Sequence, residues 1–172
     1  KDVTCLVDLE LPRTEMLKTV RAGRRRLQPL LACTNGSTSP LLTCFGHSHI
    51  DIAWLWPIAE TERKCARTFS NQLTLMEMYP EYKFLQSQAH LYRMTKQLHP
   101  EIYERIRKAV KGGQWIVDGA MWVEADTNLA GGESLIRQFL HGKRFFKEEF
   151  GINNEMMWLP DVFGYSGALP QL

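Results

Sequence analysis

Three side chains that can bind a metal ion or transfer a proton lie close together in the first third of the chain. The stretch GHSHIDIAWLWP, residues 46–57, places His47, His49 and Asp51 at intervals of two, directly after the apolar run LLTCF. In extended backbone, side chains two residues apart point to the same face, so His49 and Asp51 can both reach one cation. The same spacing also occurs in hydrogen-bonded turns. We predict His49 and Asp51 as metal ligands and His47 as a neighbour outside the coordination shell.

A further carboxylate follows another apolar run near the other end of the chain. The stretch WLPDVFGYSGALPQ, residues 158–171, places Asp161 directly after this run. Together with His49 and Asp51 it makes a mixed nitrogen and oxygen donor set, which suits zinc or a similar divalent ion. We therefore predict Asp161 as a third metal ligand.

Aromatic and acidic side chains occur together in a third segment, GAMWVEADTN, residues 119–128. Aromatic rings cover the apolar face of a pyranose, and carboxylates bind its hydroxyl groups. Trp122, Glu124 and Asp126 are therefore candidates for sugar binding. The alternatives are a core position for Trp122 and a turn held by the side chain of Asp126.

The elements that carry these residues alternate between short apolar runs and amphipathic helices. After Pro57, apolar residues recur at spacings of four, four and three, as on one face of a helix. The residues of this face are Cys65, Phe69, Leu73 and Met76. We predict strands at residues 41–45, 82–88, 114–119 and 155–160, and helices at residues 11–31, from Pro57 onward, at 90–111 with a break near Pro100, and at 132–150.

Strands that alternate with helices predict βαβ units and a parallel sheet, whose strands are covered on both faces and are therefore continuously apolar. In α/β folds the working residues lie at the carboxyl ends of strands, because only there do the loops leave a crevice open to a ligand. The predicted metal ligands all follow predicted strands. We therefore expect an α/β fold in which they meet at one edge of the sheet.

The composition excludes several classes of protein. A chain of 172 residues with 44% hydrophobic and 23% charged residues is ordinary for a folded domain. A net charge of +2, with one basic cluster at residues 21–26 that has no interleaved aromatics, argues against a nucleic-acid partner. No apolar run approaches the ~18 residues of a membrane span, nothing resembles a signal peptide, and the four cysteines form no CxxC pair. These features predict a protein of the reducing cytoplasm with no membrane partner.

Three motifs, in order along the chain, resemble those of an enzyme family. GHSHIDIAWLWP, WVEADTNLAGGESLIRQFLHGKRFF and WLPDVFGYSGALPQ look like segments of the N-terminal catalytic domain of glycoside hydrolase family 38, the retaining α-mannosidases. The cytosolic class 2C members are the most similar, on HIDIAWLWP and FGYS. The resemblance covers roughly residues 42–172.

This resemblance implies roles for individual residues. His49 and Asp51 match the first two zinc ligands of the family. Asp161 matches the aspartate that both binds zinc and attacks the anomeric carbon of the sugar. Trp54 matches the aromatic residue that lies beneath the bound mannose.

The resemblance also implies an architecture, a seven-stranded parallel (β/α) barrel of the type found in glycoside hydrolases and deacetylases. Residues 41–172 would supply about the first four strands of this barrel. Residues 1–40, a helix and a linker, would be the end of a preceding domain. The family's fourth zinc ligand and general acid/base correspond to positions beyond Leu172, so we expect this segment alone to be inactive.

The reaction implied is the hydrolysis of terminal α-D-mannose from oligosaccharides through a covalent mannosyl-enzyme, in the catabolism of free oligosaccharides. Zinc is the expected cofactor, with cobalt as an alternative, and a mannose-containing oligosaccharide is the expected partner. Oligomerisation of the full-length protein stays open. Two other functions also stay open: a metal-dependent sugar deacetylase on a related barrel, in which the metal activates water, and a truncated segment without enzymatic activity.

Overall fold

The structure, a computed structural model, describes residues 3–34, 36 and 39–171. It divides into two units, Lys1–Thr43 and Cys44–Leu172. The elements in chain order are α1 (Arg13–Leu31), β1 (Gly46–His47), α2 (Ile58–Met78), β2 (Phe84–Gln86), α3 (Ala89–Leu98), α4 (Pro100–Lys111), β3 (Trp115–Val117), α5 (Gly132–Phe150) and a short 3-10 helix (Leu169–Gln171). Within the described ranges, no helix has the length and apolar character that crossing a bilayer demands.

The first unit contains α1, which confirms the predicted N-terminal helix. Gly23 of α1 is buried. A β-carbon added there would lie 2.7 Å from a methyl group of Val7, so the absence of a side chain lets the preceding segment approach the helix. The predicted linker includes residues 35, 37 and 38, which lie outside the described residues.

The second unit contains a three-stranded parallel sheet in the order β1–β2–β3, as the alternation of strands and helices predicted. Gly46 of β1 is in register with Phe84 of β2, which is in register with Trp115 of β3. Because neighbouring strands run the same way, the segments that follow them all leave the sheet at the same edge. This edge carries the candidate site residues.

The prediction of a strand at residues 41–45 is wrong, because β1 begins only at Gly46. The first ladder bond runs from the backbone N–H of Gly46 to the carbonyl of Lys83, at 2.8 Å. Leu41 and Leu42 are 92% and 85% exposed and belong to no strand. An apolar run becomes a strand only where a neighbouring backbone pairs with it, and here the pairing starts after the run.

The predicted extent of the fourth strand, residues 155–160, is also wrong. In this segment the structure has an isolated parallel bridge between Met157 and Gly119 and no longer strand. The side-chain amide of Asn154 donates to the carbonyl oxygen of Val117, at 3.0 Å. This bond occupies a β3 acceptor that a longer fourth strand would use. The bridge still keeps the parallel direction that the sequence predicted.

The helix faces predicted from apolar spacing are buried in the core of the second unit. The four residues of the α2 face, Cys65, Phe69, Leu73 and Met76, are all buried. The indole Nε1 of Trp115 donates to the hydroxyl of Tyr92 at 2.8 Å, and this hydroxyl donates to the carbonyl of Gln86 at 2.7 Å. These bonds satisfy the polar atoms of two large buried side chains and connect α3 to β2 and β3.

Helix α5 passes very close to the segment that leads from β3 into the candidate site. A β-carbon added to Gly142 would lie 2.5 Å from the carbonyl carbon of Met121 and 2.8 Å from the backbone nitrogen of Trp122. One turn earlier, Gln138 accepts the N–H of Trp122 at its backbone carbonyl (2.9 Å) and that of Val123 at its side-chain oxygen (2.8 Å). Helix α5 therefore holds the backbone immediately before Glu124.

We expect Gly142→Ala to destabilise the protein by about 1–3 kcal/mol, the usual cost of overpacking, because the new methyl group meets backbone rather than a movable side chain. In a free helix the same change would instead stabilise by up to ~1 kcal/mol. Gly132→Ala is the matched control on α5, since a β-carbon there meets nothing within 4 Å. Urea unfolding of both variants measures the difference. A Gly142→Ala protein as stable as wild type would show that α5 does not pack this closely.

Candidate active site

The imidazole of His49 lies at the centre of a group of three carboxylates. Its Nδ1 atom lies 2.5 Å from Oε2 of Glu124. Its Nε2 atom lies 3.1 Å from Oδ1 of Asp51 and 3.5 Å from Oδ2 of Asp161. The structure thus brings together His49, Asp51 and Asp161, which come from the segments after β1 and after the Met157 bridge. It adds Glu124, from the segment after β3, on the opposite side of the ring.

The charge of His49 follows from these neighbours. The hydrogen bond to Glu124 is the largest cause that raises its pKa to about 9, with Asp51 adding to the effect and burial opposing it. At pH 7 the imidazole therefore carries protons on both ring nitrogens. A cation that binds at Nε2 must displace one of these protons.

Glu124 holds His49 from behind and does not face the open side of the group. Its side chain is 3% exposed, and the hydroxyl of Ser87 donates to its other oxygen. A carboxylate bonded to one nitrogen of a histidine fixes the ring and leaves the other nitrogen free to bind a metal ion. The sequence predicted Glu124 as a sugar-binding residue, whereas the structure places it as the partner of His49.

We expect Glu124→Gln to lower the pKa of His49 from about 9 toward 6.5, because the bond to this carboxylate is the largest cause of the rise. Metal-free wild-type protein should lose stability as the pH rises from about 6.5 through 9, since the folded state binds the proton more tightly than the unfolded state. The variant should lose less over this range. NMR titration of the imidazole and urea unfolding at several pH values measure the two effects.

The control for this prediction is Glu148→Gln, which removes a carboxylate that pairs with Arg144 on the exposed face of α5. It is expected to leave the pKa of His49 unchanged. An unchanged pKa of His49 in the Glu124→Gln protein would show that Glu124 is not its principal partner.

The loop that carries Asp51 is held by Thr61 of α2, a residue that the sequence did not single out. The hydroxyl of Thr61 donates to the carbonyl of Asp51 (3.0 Å) and accepts from the N–H of Ala53 (3.1 Å) and the indole of Trp56 (3.0 Å). Ala53 has a positive φ of 59°. Thr61 is fully buried, so it stabilises this strained turn from the first turn of α2. In the sequence, the signal for this role was no more than a threonine four residues after a helix-opening proline.

Ser87 is the second residue that sequence reasoning missed. It lies one residue after β2, the central strand, and is 1% exposed. Polar residues at the carboxyl end of a parallel strand are a general signal for a site, and this one lay inside the segment predicted as a strand. Its bond to Glu124 links the end of β2 to the segment after β3.

His47 is engaged elsewhere. The indole of Trp158 donates to its Nε2 atom at 3.0 Å, and the two rings meet edge to face. Burial is the main cause that lowers the pKa of His47, with Glu124 opposing and His49 adding to this change. A neutral ring with this lone pair occupied fits a residue outside a coordination shell.

Trp54 and Trp122, the two aromatic candidates, lie in different surroundings. Trp54 is 66% exposed and packs edge-on against Trp56, so most of its surface is open to a ligand. Trp122 stacks on His90 at a centroid distance of 5.4 Å and contacts Phe145 of α5. No bond joins Trp122 to the His49 group. It is partly buried and packs against the core, which is nearer to the core position that the sequence left as an alternative, and it also lines a separate cavity with Arg93 and His141.

Asp126 forms the turn that the sequence offered as its alternative role. Its Oδ1 atom accepts the backbone N–H groups of Asn128, at 2.8 Å, and Leu129, at 3.1 Å. Its carbonyl accepts the N–H of Ala130, at 3.1 Å. Asp126 thus shapes the loop before α5, and the structure records no bond from it to the His49 group.

The open side of the group is accessible to a ligand. The side chains of Asp51 and Asp161 are 38% and 58% exposed. A cavity of about 210 Å³ lies beside His49 and Asp51 and is also lined by Lys64 and Arg67. Asp161 does not line this cavity, so it is the negative charge of Asp51 that is accompanied there by two cationic side chains.

The donors around Nε2 of His49 are of the types that a divalent ion binds, and the two separations that involve Nε2 are close to those within a metal site. Two donors bound to one tetrahedral ion at about 2.1 Å lie about 3.4 Å apart. The separations of Nε2 from Asp51 and Asp161 are 3.1 and 3.5 Å. As the side chains stand, no three His, Cys, Asp or Glu residues within 3–34, 36 and 39–171 form a set that could hold a metal ion. Binding would thus require the donor side chains to move from the positions that they have here.

Comparison with known proteins adds independent information on this chain. Residues 40–172 match the family described as "Glycosyl hydrolases family 38 N-terminal domain". The chain is 51% identical over 138 residues to "Alpha-mannosidase G" of Dictyostelium discoideum and 47% identical over 137 residues to "Alpha-mannosidase 2C1" of Homo sapiens. Each match covers 80% of this chain, which spans 13% of the length of either relative.

A solved structure has a similar fold. The crystal structure of an alpha-mannosidase from Enterococcus faecalis V583 matches with a TM-score of 0.66 at 30% sequence identity. The match covers 74% of this chain and 14% of that chain. Sequence similarity and structural similarity therefore both connect this chain with proteins named as alpha-mannosidases.

Proposed function

The chain belongs to glycosyl hydrolase family 38, and we propose that it carries part of the active site of a retaining α-mannosidase. The proposed reaction is the hydrolysis of terminal α-D-mannose from oligosaccharides, in the catabolism of free oligosaccharides. The similarity to relatives named as alpha-mannosidases supports the reaction class. The observation that carries the proposal is the exposed carboxylate of Asp161, whose Oδ2 atom lies 3.5 Å from Nε2 of His49.

The proposal includes an architecture for the whole protein. The three parallel strands and their helices would be the first part of a seven-stranded (β/α) barrel within residues 41–172, with residues 1–40 at the end of a preceding domain. The parallel order β1–β2–β3 and the further parallel bridge at Met157 support this arrangement, because both extend the sheet in one direction.

We assign zinc, with cobalt as the alternative, to His49, Asp51 and Asp161. The bond from Glu124 to Nδ1 of His49 supports this assignment, since it directs Nε2 toward the two aspartates. When bound, the ion would supply a positive charge that binds two hydroxyl groups of mannose and offsets the charge of the carboxylates. His49 must give up its Nε2 proton for this, so affinity for the metal should rise with pH up to about 9.

In the proposed mechanism, one oxygen of Asp161 attacks the anomeric carbon of mannose while the bond from that carbon to the leaving oxygen breaks. The leaving oxygen takes a proton from a second carboxyl group, which in a retaining glycosidase lies about 5–5.5 Å from the nucleophilic carboxylate. None of the described residues is assigned to supply this second group. Water then cleaves the ester and frees mannose. Trp54, two-thirds exposed, would cover the apolar face of the sugar ring.

The experiment that tests this function is covalent trapping. The protein encoded by the longest available reading frame that carries this chain is incubated with a fluorinated mannosyl fluoride, which slows hydrolysis of the ester. The protein is then digested, and its peptides are analysed by mass spectrometry. We expect the sugar on the peptide that contains Asp161, and no sugar on that peptide in Asp161→Asn. A protein that is active on an aryl α-mannoside but carries the label elsewhere, or none, would contradict the assignment. A deacetylase would form no such ester.

A further inference from the structure

Gln88 connects two of the three segments that carry the His49 group, the one after β1 and the one after β3. It lies two residues after β2 and is 2% exposed. Its Nε2 atom donates to the carbonyl of Ile50 at 2.9 Å, and its Oε1 atom accepts the backbone N–H of Glu124 at 3.2 Å. Because one bond needs a donor and the other an acceptor, the two together fix the orientation of the amide.

Both bonds end next to residues of the candidate site. Ile50 lies between His49 and Asp51 in the chain. The carboxylate of Glu124 holds Nδ1 of His49 at 2.5 Å. A shift of either backbone segment would therefore change the position of His49 relative to Asp51 or to Glu124.

The backbone of Gln88 is in a conformation that residues with a side chain rarely adopt, with φ 60° and ψ 88°. Such conformations cost free energy and persist only where surrounding contacts hold them. Glycine would adopt this conformation without steric strain. The two bonds of the amide give a physical reason for a glutamine at this strained position, since glycine could not make either bond.

We propose that Gln88 is a positioning residue whose amide clamps the segment after β1 to the segment after β3, and so holds His49 in line between Glu124 and the two aspartates. The existence of this clamp is inferred from the two hydrogen bonds of the Gln88 amide alone. Its effect on metal affinity rests on the proposed function. Removing the amide releases both backbone segments while the side chains of His49, Asp51 and Asp161 stay intact.

The test uses Gln88→Met, which keeps the length of the side chain and removes both hydrogen bonds. The matched control is Gln86→Met, because Gln86 is also fully buried and, among the residues that the structure describes, its side-chain amide bonds only the carbonyl of Ser87, at 3.4 Å. Both variants are made in the longest available reading frame that carries this chain. Zinc affinity is measured by competition with a chromophoric chelator, and backbone amide exchange is measured by mass spectrometry on metal-free protein.

We expect Gln88→Met to weaken zinc binding about 10- to 100-fold, as changes beside metal ligands do, and Gln86→Met to change it less than 3-fold. In metal-free protein, the amide of Glu124 should exchange at least 10-fold faster in Gln88→Met. The amide of His90, which bonds the carbonyl of Trp122 at 3.0 Å, should keep its wild-type rate. A merely structural role would instead speed the exchange of both amides together and weaken zinc binding in both variants alike, which would overturn the proposal.

The exchange measurement keeps the two proposals distinguishable. If wild-type protein binds no zinc, the proposed metal site fails, and the exchange rate of Glu124 still decides whether the clamp exists. If Gln88→Met does not fold, Gln88→Asn replaces it, since asparagine tolerates a positive φ but is too short to bond both segments. Wild-type exchange at Glu124 in the folded variant would overturn the proposal.

Discussion

Asp161→Asn is expected to lower the turnover of an aryl α-mannoside by at least about 10³-fold in the longest available reading frame that carries this chain. Asparagine has nearly the size and shape of aspartate, so the loop after the Met157 bridge should keep its conformation. It lacks the negative charge that would attack the anomeric carbon, and its amide is a poorer partner for a cation. Steady-state kinetics on metal-loaded protein measure the loss, which should appear in kcat.

The control for this experiment is Asp8→Asn, which removes the same charge from an exposed turn of the first unit. We expect it to retain wild-type turnover. If the Asp161→Asn protein retains more than a few per cent of the wild-type rate, the nucleophile must be another carboxylate. Asp126 and Glu124 would then be tested first, although one forms a turn and the other is 3% exposed behind His49.

His49→Ala and Asp51→Ala are expected to abolish retention of zinc. His49 provides the ring nitrogen that lies between the two aspartates, at 3.1 and 3.5 Å, and alanine leaves only carboxylate donors there. His49→Ala also leaves the buried carboxylate of Glu124 without its cationic partner, so this variant should unfold at a lower urea concentration. Elemental analysis of the purified protein and urea unfolding measure the two effects separately.

His47→Ala is the matched control for these variants. Its ring bonds the indole of Trp158 and lies two residues from His49 in the chain. We expect zinc affinity to fall by no more than ~10- to 100-fold, the range of changes outside the coordination shell. Stoichiometric zinc in purified His49→Ala protein would contradict the ligand assignment, and equal loss in His47→Ala would place His47 among the ligands.

The sequence alone predicted the helices well, because their signals are local. Helix α5 begins and ends at the predicted residues, Gly132 and Phe150. The apolar spacing within it marks the buried face, and Gly151, with a φ of 73°, ends it where a residue with a β-carbon would be strained. The alternation of helices and apolar runs was also enough to predict a parallel sheet, since a parallel strand needs a crossover before it.

The sequence also selected His49, Asp51 and Asp161, because their donor types and their positions after apolar runs are visible in the chain itself. Their role as ligands stays a prediction. That they meet was expected from the general rule for parallel sheets, and the structure places the two aspartates 3.1 and 3.5 Å from Nε2 of His49.

Only the tertiary structure decided where the strands begin and what the polar residues behind His49 do. Strand β1 starts after the apolar run because β2 pairs first with Gly46, which is in register with Phe84 and bonds the carbonyl of Lys83, and not with Leu41. Glu124 bonds His49 across 75 residues of sequence, and Gln88 bonds Ile50 across 38. Composition and spacing carry no information on such pairs, because backbone pairing and buried hydrogen bonds depend on which distant segment packs alongside.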